Sequence, residues 1–220
     1  MAPLKIEVWS DIACPWCWIG KRGLDAALER FEHPAEVRFR AFELNPQAPL
    51  ERPEKFDYVQ HLMNKYRMDR EQAQQTIDRV VSTGRERGVE IRYDRVRPTN
   101  TFDAHRLLSW AAGSGRQAEL KEAVFQAYFQ EGLRVSDHAV LQELAAKAGL
   151  DIAKASEVLS SDAFATEVRQ DEQIAAQIGI NGVPCFVFPA TRSGISGAQP
   201  PEVLLEAMRR ANSQVDSPGI

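Results

Sequence analysis

Cys14-Pro15-Trp16-Cys17 places two thiols three positions apart, a spacing at which they can close a disulfide with each other and reopen it against another sulfur. The chemistry such a pair supports is dithiol–disulfide exchange. One cysteine attacks as thiolate and the other breaks the resulting mixed disulfide. Two other uses of the motif compete. Half of a structural zinc site needs two further ligands, and the chain offers only Cys185 and four scattered histidines, His33, His61, His105 and His138. A permanent structural bridge across so short a loop would constrain the unfolded chain little.

The elements around the pair favour the redox use. Leu4 to Trp9 is apolar and β-branched enough for a buried strand, and Ser10-Asp11 ends it with turn-favouring residues. Pro15 suits the first turn of a helix, where a backbone N–H would lack a partner. Trp16, Ile19, Gly20, Leu24, Ala27, Leu28 and Phe31 then recur at helical spacing. Cys14 therefore caps a helix, where the positive end of the dipole favours thiolate over thiol, and makes the nucleophile. Cys17, one turn deeper, makes the resolving thiol.

Farther along, Glu36 to Leu44 alternates with strand period and ends at Asn45-Pro46. From about Lys55 to Gln177 the periodicity is helical, as in Phe56, Val59, Leu62, Met63 and Tyr66, or Leu120, Val124, Ala127 and Tyr128. Strand signals return at Gly182 to Phe188, and Val203, Leu204, Leu205, Ala207 and Met208 mark a last amphipathic helix. Pro184 opens an apolar strand although it cannot donate to a sheet ladder, so it must sit where its missing N–H is harmless.

At 220 residues the chain can bury a sizeable core. Its net charge of −4, with acids and bases interspersed, gives no reason to expect nucleic acid as a partner, and no apolar run is long enough for a membrane span. Met1 to Trp9 passes straight into the first strand, leaving no room for a signal peptide, and three cysteines are too few for a disulfide-stapled secreted scaffold. A cytoplasmic location is the expectation.

Five separated motifs carry a family resemblance: Ser10 to Lys21 (SDIACPWCWIGK), Phe42 to Pro46 (FELNP), Asn100 to Arg106 (NTFDAHR), Ala127 to Phe129 (AYF) and Gly182-Val183-Pro184. Together they resemble the FrnE-like branch of the DsbA thiol-disulfide oxidoreductases over nearly the whole chain. The resemblance implies an α/β protein with a thioredoxin-like fold and a large all-helical insertion. Residues 1–48 and 179–212 would form the two parts of the thioredoxin-like domain, 49–178 the insertion, and 213–220 a flexible tail. It implies Cys14 as nucleophile, Cys17 as resolving thiol and Pro184 as a cis-proline facing them. Such a proline exposes the backbone of Val183 for pairing with an extended substrate, and Pro15 and Trp16 would also touch it. Protein thiols and disulfides are the implied partners, with glutathione as a further one, and no metal or organic cofactor is implied. Kappa-class glutathione transferases and 2-hydroxychromene-2-carboxylate isomerases share the architecture but use a serine near the position of Cys14, which turns the reading from glutathione-dependent transfer or isomerisation towards disulfide exchange. That small-molecule chemistry and a non-catalytic chaperone or binding module are the alternatives. In the resemblance, the residue before the second cysteine is commonly a histidine that makes the disulfide strongly oxidising. Trp16 carries no charge, so a more reducing couple is expected here.

Glu7 is the candidate proton acceptor for Cys17, because it interrupts an otherwise apolar strand and lies near the strand glutamate of the resemblance. Asp11 reads as a turn or cap residue, Glu43 as a strand end, Asn100-Thr101 as a helix cap and His105 as a surface or capped histidine. Trp18 reads as core and Trp16 as partly exposed. Cys185 reads as a small buried core residue rather than a third redox thiol.

Overall fold

The computed structural model describes residues 2–51 and 56–215. Strand β1 (Leu4–Ser10), helix α1 (Pro15–Leu28) and strand β2 (Ala35–Ala41) form a β-α-β unit with β1 and β2 parallel, from Leu4 opposite Ala35 to Ser10 opposite Ala41. Seven helices follow: α2 (Tyr58–Tyr66), α3 (Arg70–Glu86), α4 (Phe102–Ala112), α5 (Gln117–Gln126), α6 (His138–Lys147), α7 (Ile152–Leu159) and α8 (Ala165–Gln177), with a π-helical turn, Ala127–Glu131, continuing α5. The chain then returns to the sheet as β3 (Cys185–Phe188) and β4 (Ser193–Ser196) and ends in α9 (Pro201–Val215). The sheet order is β2-β1-β3-β4, with both later pairings antiparallel. This is a thioredoxin-like α/β fold carrying a helical segment between its two parts.

Strand alternation divides the core. Leu4, Ile6 and Val8 pack with Leu24, Ala27, Phe186, Phe188, Leu204 and Met208, so α1 and α9 cover one face of the sheet. Trp9 on the other face packs with Ala175 of α8 and donates its indole N–H to the Asp171 carbonyl at 2.9 Å. The largest apolar cluster lies among the helices and includes both Cys14 and Cys17.

Strand β2 ends at Ala41, short of the expected Leu44, because its partner ends at Ser10 and turns into the cysteine loop. The Ala41 and Leu44 amides donate instead to the carboxylates of Asp171 and Asp11, at 3.1 and 2.8 Å. At Phe39 the outer edge of β2 is met by a side chain. Gln117 of α5 donates to the Phe39 carbonyl at 2.9 Å and accepts from the Phe39 amide at 2.8 Å, as a neighbouring strand would. Strand β4 has no counterpart in the sequence reading: Ser-Gly-Ile-Ser offers one apolar residue, and pairing with β3 across Pro189–Arg192 makes it a strand. Helix α9 runs through Val215, past the expected boundary at residue 212, while the remainder of the expected tail, 216–220, lies outside the described residues.

Candidate active site

The loop between β1 and α1 presents the thiols. Cys14 is the N-cap of α1 with extended backbone, and Pro15 fills the first turn. The Cys14 amide donates to the Asp11 carbonyl at 3.3 Å and the Cys17 amide to the Cys14 carbonyl at 3.0 Å, which fixes the turn. Both cysteines are free thiols, 5% and 2% exposed. Trp16 between them is half-buried and Trp18 fully buried. Trp18 donates to Glu122 of α5 at 2.9 Å and stacks on Phe125 with ring centroids 6.0 Å apart.

The loop before β3 faces this corner. The Val183–Pro184 bond is cis, and the Cys14 thiol lies 3.6 Å from the Val183 carbonyl it donates to. Gly20 permits the approach, since a Cβ there would stand 2.9 Å from Pro184 Cγ and 3.3 Å from the Phe186 ring. Cys14, Cys17, Pro15, Trp16, Val183 and Pro184 are thus gathered at one end of α1.

Cys14, Pro15 and Trp16 also line a cavity of about 330 Å³, whose other walls include Tyr58, Leu62, Tyr66, Val80 and Tyr93, with His61, Lys65 and Arg79 adding polar and basic groups. A second cavity, of about 410 Å³, shares Ala13, Leu44, Tyr58, His61 and Lys65 with it and reaches Asp11, Thr101 and Tyr128. Burial raises the pKa values of the Tyr58 and Tyr93 phenols, which therefore stay neutral donors. A larger cavity of about 760 Å³, lined by residues such as Arg38, Trp110 and Phe164, lies away from the thiols.

Behind the loop is a buried polar cluster. Asp11, 1% exposed, accepts from Thr101 Oγ1 at 3.0 Å and the Leu44 amide at 2.8 Å, and lies 3.3 Å from His105 Nε2. Burial pushes its pKa up, but hydrogen bonding and charge from His105 outweigh this and leave it below the ordinary value. Burial holds His105 below its ordinary value. His105 is therefore an interior partner of Asp11, where a surface or capped histidine was expected, and Thr101 spends its hydroxyl on Asp11 while Asn100 accepts from the Phe102 amide at 2.9 Å. Glu43, also buried, is pushed up to about 7 by desolvation and pairs with Arg169 at 2.6 Å.

Lys121 of α5 is 1% exposed, with its ammonium 5.1 Å from the Phe125 ring centroid and 5.9 Å from that of Phe39. Desolvation lowers its pKa to about 8, against the attraction of Cys17, Asp11 and Cys14. Cys17 is raised well above its ordinary value by burial first and by Cys14 second, with Lys121 pulling it down. Glu7 is not brought to the thiols. It forms an ion pair with Arg40, which also holds Asp171 at 2.7 Å. Alternation puts Glu7 with Trp9 on the α8 face, while Ile6 and Val8 face α1. Cys185 is buried in β3 opposite Trp9, 3.8 Å from Ser196 Oγ, and burial raises its pKa. The burial of Asp11, His105 and Lys121 is what the sequence reading missed. Asp11 carried only a turn signal, and His105 and Lys121 only their polar character within helical patterns.

Residues 5–209 match the family model described as a DSBA-like thioredoxin domain. The chain belongs to this family. Among solved structures, a probable DsbA oxidoreductase from Streptomyces coelicolor is 40% identical with a TM-score of 0.86, covering 96% of this chain and 90% of that one. The uncharacterized protein YwbO of Bacillus subtilis is 29% identical over 190 residues, 86% of this chain and 88% of that protein. The cytosolic disulfide reductase DsbM of Pseudomonas aeruginosa, solved with GSH, shares the fold at 17% identity and a TM-score of 0.63, covering 97% of this chain and 98% of that one. Members of this DsbA-like family are oxidoreductases or isomerases. Among the described residues no group of three or more His, Cys, Asp or Glu could hold a metal ion, and no helix is long and apolar enough to cross a membrane.

Proposed function

We propose that the protein is a thiol-disulfide oxidoreductase in which Cys14 attacks a substrate disulfide and Cys17 resolves the mixed disulfide. The observation that carries this reading is the Cys14 thiol at the N-terminus of α1, against the Val183 carbonyl and at the wall of an open cavity. Attack by the Cys14 thiolate breaks the substrate S–S bond and expels one substrate thiolate. Attack by Cys17 on Cys14 then forms the Cys14–Cys17 bond and expels the other, so two electrons pass from the dithiol to the substrate. Run backwards, the same steps oxidise a substrate dithiol. The half-buried Val183 backbone, with Pro15 and Trp16, forms the ledge on which an extended peptide lies.

Protein thiols and disulfides are the substrates this ledge suits, and the FrnE-like branch is the subgroup whose motifs the chain carries. Glutathione is a second partner, favoured by Lys65 and Arg79 in the cavity beside Cys14, which match a small acidic thiol. Work in the cytoplasm fits the small number of cysteines. The test is trapping with a disulfide-bonded protein such as insulin. Cys17→Ser should accumulate a mixed disulfide through Cys14, seen by mass spectrometry, and Cys14→Ser should abolish exchange. Insulin reduction at the native rate by Cys14→Ser would overturn the reading.

A further inference from the structure

The cavity of about 330 Å³ beside Cys14 is apolar within and basic at its rim. Its wall contains Leu62 of α2 and Val80 of α3, 8% and 3% exposed, and the half-buried rings of Tyr58 and Tyr93, whose centroids are 4.3 Å apart. Lys65 and Arg79 are exposed and bring their charges to the mouth. Among the described residues the lining includes no Asp or Glu, and neither cation is within ion-pairing distance of a carboxylate. These two charges match the acids of glutathione, but the rings and aliphatic side chains have no use for so polar a tripeptide. The volume is at the small end of the about 300–1,000 Å³ typical of ligand pockets, room for one large side chain.

Resting on the dithiol-exchange reading, we propose that this cavity selects protein substrates that carry a large aromatic side chain two positions from the reacting cysteine, with acidic residues beyond it. An extended segment lying on the Val183 backbone advances about 3.3 Å per residue and turns successive side chains to opposite faces. Its sulfur must reach Cys14, which is itself part of the cavity wall, so the face that carries the cysteine is the face that meets the cavity. The cysteine's first neighbours point away. Its second neighbours, about 7 Å along, share its face and are the first side chains that can enter. There an aromatic ring meets Tyr58 and Tyr93 and buries its surface against Leu62 and Val80. Carboxylates farther along the segment are drawn to Lys65 and Arg79. The ledge at Val183 holds the backbone of the substrate, and α2 and α3 choose its side chains.

The probes are short acetylated and amidated peptides whose central cysteine carries nitrothiobenzoate as a mixed disulfide. Mixed with the reduced protein, the Cys14 thiolate attacks the peptide sulfur, the bond between them forms, and nitrothiobenzoate leaves as a thiolate read by its absorbance. Phenylalanine at both second neighbours of the cysteine, with aspartate outside each, should react about ten-fold or more faster than the same composition with phenylalanine at both first neighbours. Replacing the aspartates by lysine should slow release about three-fold or more, with the gap widening at low salt. Thr76→Phe, which puts a ring into the cavity from its half-buried wall, should bring the first ratio down to about two-fold or less. Lys65→Glu combined with Arg79→Glu, both at exposed positions, should invert the second. A ratio between two peptides on one protein is unaffected by any fraction that fails to fold. Equal release from all peptides by the parent protein, a faster first-neighbour peptide, or ratios that the variants leave in place would overturn the proposal while exchange stands. No release from any peptide, or release at the native rate by Cys14→Ser, would instead sink the exchange reading itself.

Discussion

Around Cys14 the contacts are made by backbone and come from the chain's own neighbours and the Val183-Pro184 loop: the Asp11 carbonyl, the Val183 carbonyl and the first turn of α1. Cys17 is packed into the apolar cluster of the helical segment, where its neighbour Trp18 is tied to Glu122 of α5. The first arrangement exposes a sulfur to substrate and needs only geometry. The second holds a buried thiol whose proton loss burial and Cys14 oppose, with Lys121 and the Asp11 backbone working the other way. One turn of α5 serves both purposes of the segment, since Gln117 and Lys121 are four residues apart and share a helix face. Gln117 holds the sheet edge and Lys121 is buried over the Phe39 and Phe125 rings.

The comparison breaks most severely at Gln117. Gln117→Ala removes the partners of the Phe39 N–H and C=O and a bond to the Leu108 carbonyl at 3.1 Å, in a site closed to water. At about 1–3 kcal/mol for an orphaned buried group, a loss of about 3 kcal/mol or more in urea unfolding is expected. A loss below 1 kcal/mol would show that the clamp does not hold the segment to the sheet.

Lys121→Met should act in the opposite direction. A lysine lowered from 10.5 to about 8 in the folded protein destabilises it throughout the range below pH 8, and that penalty fades as pH rises from 8 towards 10.5, where the unfolded chain also loses the proton. The variant should therefore be more stable than the parent at pH 7 by about 2–3 kcal/mol. The difference should shrink through the same alkaline window, as thermal unfolding against pH would report. A variant less stable than the parent at pH 7 would mean that the ammonium is a structural tie rather than a cost to the fold.

The two regions were also unequally legible. The strand, turn and helix that carry Cys14 and Cys17 lie within the first 28 residues, and period, turn chemistry and the proline at the helix start all agree there. Trp18 in the core, Trp16 half-exposed and Cys185 buried in a strand follow from the same local reasoning. The partnership of Asp11 with Thr101 and His105 joins residues about ninety positions apart, and Gln117 reaches Phe39 across 78. Nothing in Gln117–Gln126, a helix with polar residues on several sides, distinguishes the lysine that becomes buried from those that stay in water. Glu7 misled because a glutamate in an apolar strand signals a special environment without saying which face it is on. Here that environment is an ion pair with Arg40.

Equilibrating the protein in glutathione buffers of graded ratio and counting the Cys14–Cys17 disulfide by thiol labelling and peptide mapping tests the central claim most directly. The predicted result is one reversible two-electron transition. Trp16 offers the pair no charge, Lys21 and Arg22 are engaged by Asp25 and Glu122, and burial leaves Cys17 protonated despite Lys121. The reduced form is therefore not strongly favoured as thiolate, and the midpoint should lie well below the about −120 mV of a strongly oxidising DsbA, at about −180 mV or lower. A pair that forms no disulfide at any buffer ratio, or a midpoint near −120 mV, would contradict the account.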